Sequence, residues 1–600
     1  MKSFLIICIA AATLSMVSCN QKNNSNKAES DIDTATNKDL NTLLEKYWDE
    51  NARLFPLQAT ANGDDRYNDQ LPNDQTAAFR DTLRNYYQTY LDEIKKLDRS
   101  QLDANNKISY DIFVYEMNSQ LDGLKLNTWM MPFNQFWGLP LMLGQLGSGS
   151  SIQPFKTVKD YDNWLSRLKG FTPWTDSAIG NFRLGMNSGV VLPKSLVVKM
   201  IPQMESMIVT DPTKSLFFTP VTNFPKDFSE SDKEKITTAY KDVILSDVVP
   251  SFKKLQDFLK NEYLPKARTT SGISSIPGGK ETYNYLVKFW TTTNKTPEQI
   301  YQTGLAEVDR ITTLMDSVKN TVGFKGDLKT FFHYLKTDKK FTPYTTPQQV
   351  LDAFEAIHKK MEPYLKTMYK HVPKTPFEIR QTEAFRAASA SAEYNPGSPD
   401  GSRPGIFYVP ILDATKFNIT SGMESLFLHE AIPGHHYQIS LQQEDTLLPK
   451  FRRFTWYGAY GEGYALYCES LGKELGLYTD PYQYMGALGD EMHRAVRLVV
   501  DVAIHTKNMS REEAIQYMMS KEQISEEGAT AEIERYMAIP GQALSYKVGQ
   551  LKISELRSKY EKELGNKFIL ADFHDELLKD GGMPLQILES KMDTWAASLK

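Results

Sequence analysis

The stretch His429-Glu430-Ala431-Ile432-Pro433-Gly434-His435-His436 sets three imidazoles and a carboxylate within eight consecutive residues. Two histidines four apart on a helix share a face and can grip one zinc ion, with a glutamate beside the first directed at its water. Here the second histidine stands six or seven residues on. Seven residues of straight helix rise about 10 Å. That is too far for two ring nitrogens that must each approach one ion to roughly 2.0–2.1 Å. Pro433-Gly434 supplies a break, because proline interrupts the helical ladder and glycine permits unusual dihedrals. A two-residue bulge after Ile432 returns His435 to the place of a second ligand. A three-residue bulge delivers His436 instead, and the shorter bulge is favoured. The stretch predicts a helix bearing His429 and a general base, Glu430, then a break, then a second helix.

Upstream, Gly405-Ile406-Phe407-Tyr408-Val409-Pro410, flanked by Pro404, reads as a strand at a sheet edge. Residues 387–403, rich in Ser, Ala, Gly and Pro, read as a loop. From Ser421 to the C-terminus the pattern is helical. Apolar residues also recur at helical spacing over 39–55, 77–97 and 231–263. Thr296-Pro297 starts another helix, with Thr as N-cap and Pro at N1. No period of 20–50 residues repeats, which excludes a solenoid. The reading is a mainly α protein, a large two-lobed fold with a small mixed sheet around residues 380–412 beside the motif helix. Residues 38–390 would form a helical lobe serving as cleft wall and lid. Residues 391–600 would form the lobe holding the strand and the metal-site helices.

Of 600 residues, 69 are Lys or Arg and 74 are Asp or Glu, a net charge of −5 that offers no electrostatic footing for nucleic acid. Three cysteines exclude a disulfide scaffold. The opening MKSFLIICIAAATLSMVSCN has a basic residue and then an apolar run too short to span a bilayer. Its end, Met16-Val17-Ser18-Cys19, resembles a bacterial lipoprotein signal, with Met16 where Leu is usual. Residues 1–18 would be the signal peptide and Cys19 the lipidated residue. The polar tract through Asn37 would be a disordered tether from that anchor.

Further along, Arg494, Arg497, Asp501 and His505 form one stripe on an otherwise apolar helix. Arg497 and Asp501 are spaced as an i,i+4 ion pair. His505 or Arg497 facing the cleft would bind substrate or polarise a carbonyl.

Gly461-Glu462-Gly463-Tyr464-Ala465 resembles the Asn-Glu-Gly-Phe-Ala segment of aminopeptidase-N-type zinc enzymes, which implies Glu462 as third metal ligand. Glu469, two turns on along the same face, is spaced to hydrogen-bond a ligand histidine. His429, His435 and Glu462 with one open position make a catalytic zinc set. Ile533-Glu534-Arg535-Tyr536 is similar to a segment of angiotensin-converting-type dipeptidases, which implies Tyr536 as donor to the tetrahedral intermediate, with Tyr546 as alternate. From about residue 40 to 600 the chain resembles the bacterial domain-of-unknown-function family 885. The likeness lies in HEAIPGHH, GEGYALYCE, RLVVDVAIH and RYMAIPGQALSYK, and departs from the pattern at Trp290, where a His is usual. That family is grouped with His-Glu zincin-type metallopeptidases and includes lipoproteins. The resemblance implies a zincin-like helical fold and one zinc ion. It also implies a hydrolase of small or extended peptides, lipid-anchored in the cell envelope and facing the periplasm or the exterior. The peptide backbone would pair with the Gly405–Val409 strand. The competing readings are a lipid-anchored protein that captures peptides or glycans without catalysis, and a zinc hydrolase of another amide or ester.

Overall fold

The structure, a computed structural model, describes residues 34–600 except 385, 386, 388 and 389. The expected signal segment, Cys19 and the tether up to residue 33 lie outside the described residues. The tether's last four residues are helical, contrary to expectation, because α1 runs Thr34–Leu54. Leu40 and Leu44 bury that helix, and Asn37 locks its first turns by accepting from the Asp103 N–H and the Asn106 side chain.

Helices α2 (Ala77–Ile94) and α3 (Ala104–Gly123) pack on α1 through aromatic rings. Tyr47 meets Tyr86, Tyr90 and Phe113 at centroid distances of 5.3, 5.2 and 4.8 Å. This core runs on into the C-terminal third: Phe113 stands edge-on to Phe451, and buried Arg452 bonds Asn105 and Ser109. The expected seam at 390/391 therefore does not divide the cores, since one apolar cluster draws on both sides of it. A separate core forms within residues 133–263 around Trp164, Phe171, Trp174 and Tyr263. There the helical stretch 231–263 is broken by π-turns at Ile244–Val248 and Leu259–Tyr263. Pro250 and Pro265 follow those turns and lack the N–H that regular helix requires.

The helix α4 (Pro297–Thr321) opens with the Thr296 N-cap and Pro297 that its sequence predicts, and Gln299 completes a capping box. After α5 (Pro347–Met368) come β1 (Phe377–Gln381), β2 (Glu393–Asn395) and β3 (Gly405–Val409), in spatial order β1-β3-β2. β1 pairs parallel and β2 antiparallel with β3, with Phe377 opposite Gly405 and Tyr394 opposite Phe407. β3 is thus the central strand, buried at every position, and not an edge. Its prolines lie just outside the ladder, where no N–H is needed. β2 falls in the segment read as a loop.

The rest is helical: α6 (Met423–Glu430), α7 (His435–Glu444), α8 (Gly458–Ser470), α9 (Pro481–Thr506), α10 (Glu526–Ala538) and α11 (Ser545–Leu564). α8 and α11 touch at paired glycines, where a Cβ on Gly463 would sit 2.5 Å from the Gly549 Cα. The chain is mainly helical with a small mixed sheet, and among the described residues no helix is long and apolar enough to cross a membrane.

Candidate metal centre

α6 stops at Glu430, the chain turns over four residues, and α7 begins at His435. A Cβ on Gly434 would lie 2.0 Å from the His429 carbonyl oxygen, so only glycine allows the turn to fold back so tightly. The turn sets the His435 ring edge-on to His429, centroids 4.9 Å apart. From α8, Glu462 Oε2 comes to 3.5 Å from Nε2 of His429 and 3.5 Å from Nε2 of His435. One ligand atom from each of the three residues lies within 4.8 Å of the others. The shorter bulge is the one observed. His436 turns away, with Nδ1 2.9 Å from the Tyr394 hydroxyl and its ring on Phe377.

Ligand atoms around tetrahedral zinc, bonded at about 2.0–2.1 Å, stand about 3.3–3.4 Å apart. The observed 3.5 Å is close to that spacing and beyond the usual 2.7–3.2 Å of an N–H···O bond. Two imidazoles and a carboxylate also form a donor set suited to zinc. The other nitrogen of His429, Nδ1, is held at 2.7 Å by Glu469 Oε1, which fixes the ring and leaves Nε2 for a ligand role. Burial disfavours the charged imidazole of His429, but the facing carboxylates of Glu462 and Glu469 outweigh this and raise its pKa to about 10. Burial would raise Glu462, but the two histidines hold its carboxyl well below the usual carboxylate range. Both shifts favour positive charge between the three residues, from a proton or from a cation.

The family model described as "Bacterial protein of unknown function (DUF885)" matches residues 56–592. The chain belongs to the DUF885 family. No curated protein matches it. It is similar to the crystal structure of a candidate lipoprotein from Colwellia psychrerythraea, 26% identical with a TM-score of 0.83, over 94% of this chain and 99% of that one. The structure of a candidate lipoprotein of unknown function from Shewanella oneidensis, 18% identical with a TM-score of 0.74, shares the fold over 92% of this chain and 99% of that one.

In this DUF885 member Glu430 is half-buried, and its Oε2 accepts the backbone N–H of Tyr394 at 2.9 Å. That N–H points away from β3, so the outer edge of β2, not β3, lies beside Glu430. Sequence reading missed Tyr394 because a three-residue strand carries no alternation signal.

The α9 stripe behaves differently from its expectation. Arg497 does not pair with Asp501. It donates to Glu532 Oε2 and to the Tyr536 hydroxyl, both at 3.0 Å. Asp501 accepts from the Tyr283 hydroxyl and the Gly541 N–H. Burial raises the Asp501 pKa to about 7 despite those bonds. His505 faces no cleft. It is fully buried, accepts from the Ile273 N–H through Nδ1 and donates through Nε2 to the Tyr536 carbonyl, and burial lowers its pKa to about 3. The side chains on an otherwise apolar helix reach neighbouring elements before they reach each other.

Tyr536 is buried too, and its hydroxyl donates to Glu532 at 2.5 Å. Glu532, four residues earlier on α10, was legible from that spacing and was missed. Tyr546 differs: it is half-buried, its ring lies 4.9 Å from the Arg497 guanidinium, and its hydroxyl has no hydrogen-bond partner among the described residues. It stands one turn before Gly549, the glycine at which α11 meets α8.

Proposed function

We propose that this protein is a zinc-dependent hydrolase of the zincin type, a metallopeptidase acting on small or extended peptides outside the cytoplasm. The observation that carries the reading is Glu462 Oε2 at 3.5 Å from both ring nitrogens, with Glu430 adjacent in sequence to one of them. His429, His435 and Glu462 would hold the ion. Zinc bound there would polarise a substrate carbonyl and bring the pKa of water towards about 7. Glu430 would take the water's proton and hand it to the leaving amine, its carboxylate aimed by the Tyr394 N–H. Glu469 keeps Nε2 of His429 forward. Tyr546, with its free hydroxyl, is the better donor to the developing oxyanion, since the Tyr536 hydroxyl is committed to Glu532. His505 has no part in the chemistry. A peptide backbone would lie along the outer edge of β2 and not along β3. Cys19 in its signal-like context, together with the candidate lipoproteins that share the fold, supports a lipid-anchored envelope protein.

The test is cleavage of a peptide library by wild type and Glu430→Gln, with zinc quantified in both. The expected result is one zinc in each and a loss of roughly 10²–10⁴-fold in rate for the variant. Equal cleavage by both would overturn the mechanism. Less than about a tenth of an equivalent of zinc after mild purification would favour the non-catalytic binder.

A further inference from the structure

Beside the N-terminal half of α9 lies an open cavity of about 540 Å³, lined by none of the three metal-site residues. Small-molecule sites span roughly 300–1,000 Å³ and pair apolar walls with a few placed polar groups. The apolar lining here is Met315 on α4, Phe332 and Leu335 on the helix Leu328–Thr337, and Met485 and Met492 on α9. The charged lining is Asp490, His493 and Arg494 of α9 with Glu522.

Two of these charged groups are incompletely bonded. The Glu522 side chain is only 8% exposed, and its Oε2 lies 2.6 Å from His493 Nδ1. Its Oε1 has no hydrogen-bond partner among the described residues. A buried carboxylate oxygen left unpaired is costly and calls for a donor. Arg494 engages only Nη1, on the Asp490 carbonyl at 3.1 Å, and its Nε is buried without a partner. Asp490 gives Oδ2 to the Ser425 hydroxyl at 2.6 Å, while its Oδ1 stands 3.6 Å from Arg494 Nη1, beyond a good bond.

A glycine adds an independent observation. Gly489 lines the cavity from within α9, and a Cβ there would meet no atom within 4 Å. Glycine weakens a helix interior relative to alanine. Gly486, three residues earlier, is explained by packing, since its Cβ would lie 2.5 Å from the Gly422 nitrogen. No protein contact explains Gly489, whereas the open space beside it does.

The signs of the charges restrict the ligand. Asp490 and Glu522 oppose a purely anionic one, and Arg494, with Lys336 and Lys416 also at the cavity, opposes a purely cationic one. A zwitterion meets both. We infer that this cavity binds a free α-amino acid with an apolar side chain, of which leucine is the type. Its ammonium would donate to Glu522 Oε1 and Asp490 Oδ1, its carboxylate would accept from the Arg494 guanidinium, and its side chain would cover the methionines. The inference depends neither on zinc nor on the hydrolase reading.

The test is calorimetry of L-leucine with the full chain, against N-acetyl-L-leucine, L-leucinamide and L-glutamate. Leucine is expected to bind with a Kd below about 1 mM. Each comparison ligand should bind at least about tenfold more weakly, because it loses a charge-assisted bond or sets a charge on the apolar wall. Gly489→Leu fills the open space and should abolish leucine binding, while its thermal midpoint equals or exceeds that of wild type because a good helix former replaces glycine. Glu522→Gln should bring leucine and N-acetyl-leucine to within about threefold of each other. If that variant does not fold, Gly489→Leu decides. No leucine binding by wild type would overturn the inference. So would undiminished binding by Gly489→Leu, which would place the amino acid elsewhere, at the metal centre for instance. Failure of the hydrolase reading looks different: zinc and cleavage would be missing while leucine binding and its dependence on Gly489 remained.

Discussion

Two clusters built from the same residue types lie on neighbouring helices and do opposite things. Around Glu532 the carboxylate has direct donors, Arg497 at 3.0 Å and the Tyr536 hydroxyl at 2.5 Å, while His493 Nε2 and Arg535 stand further off at 3.4 and 3.5 Å. Around Glu462 the carboxylate stands 3.5 Å from two imidazoles, too far from both for a good bond. The first cluster is closed and works as a fastening. The second is held open by its supports, the Gly434 turn and Glu469, and leaves its donors aimed at a common point. Residue identity does not separate the two, whereas the distances among donors do.

Substitutions should divide along the same line. The largest effect is expected from Glu462→Gln, which keeps the shape but weakens the ligand. Bound zinc should fall below about a tenth of an equivalent and cleavage should drop by about 10³-fold or more. Zinc retained at one equivalent with unchanged cleavage would place the triad in the same class as the Glu532 cluster. Next is the tyrosine pair. Tyr546→Phe should slow turnover by about 10²-fold, the usual cost of losing one oxyanion donor. Tyr536→Phe should leave turnover within about threefold and lower the thermal midpoint, because Glu532 loses a donor. The reverse pattern in kcat would assign the donor to Tyr536. Smaller again is Glu469→Gln, expected to weaken zinc affinity by about 10–100-fold in competition with a chelator, because the His429 ring is held less firmly.

The same contrast explains what could be read from sequence. The HEAIPGHH stretch was legible because proline and glycine leave few ways to bring two histidines together, and the Gly434 contact with the His429 carbonyl selects His435. The N-cap at Thr296 and the span of β3 were legible from local chemistry. The central position of β3 was not, since order within a sheet depends on strands distant in sequence, and β2 is too short to show a pattern. The α9 stripe misled because i,i+4 spacing shows which side chains share a face, not which neighbour that face meets. Arg497 meets Glu532, and Asp501 meets Tyr283. Composition along the chain likewise does not show that α3 packs against Phe451 and Arg452, across the 390/391 boundary.

Within the closed cluster, Arg497→Met should remove one partner of a buried ion pair and leave Glu532 partly uncompensated. A loss of about 2–3 kcal/mol is expected in denaturant unfolding, at the lower end of the range for buried pairs because Glu532 keeps some contact with water. Zinc content should not change. A variant as stable as wild type that had lost zinc would join the two clusters into one functional unit.

A pH-dependent effect concerns Asp501, and its sign is set by burial. Desolvation favours the neutral acid, so the folded-state pKa of about 7 lies above the value near 3.9 expected for the unfolded chain. Below pH 4 both states bind the proton and the group contributes its full stabilisation. As pH rises towards 7 the unfolded chain releases the proton first, and the folded state loses stability over that interval. Asp501→Asn keeps an oxygen to accept from Tyr283 and Gly541 but cannot ionise. Its stability relative to wild type should therefore improve from pH 4 to about pH 7 and then level off. In a chain this long the shift is about one degree of thermal midpoint per kcal/mol, by scaling with length. A flat difference across that interval would mean that Asp501 is already charged in the fold, stabilised by donors as the Glu532 carboxylate is. A difference of opposite slope would mean that the Tyr283 and Gly541 bonds overcome desolvation altogether.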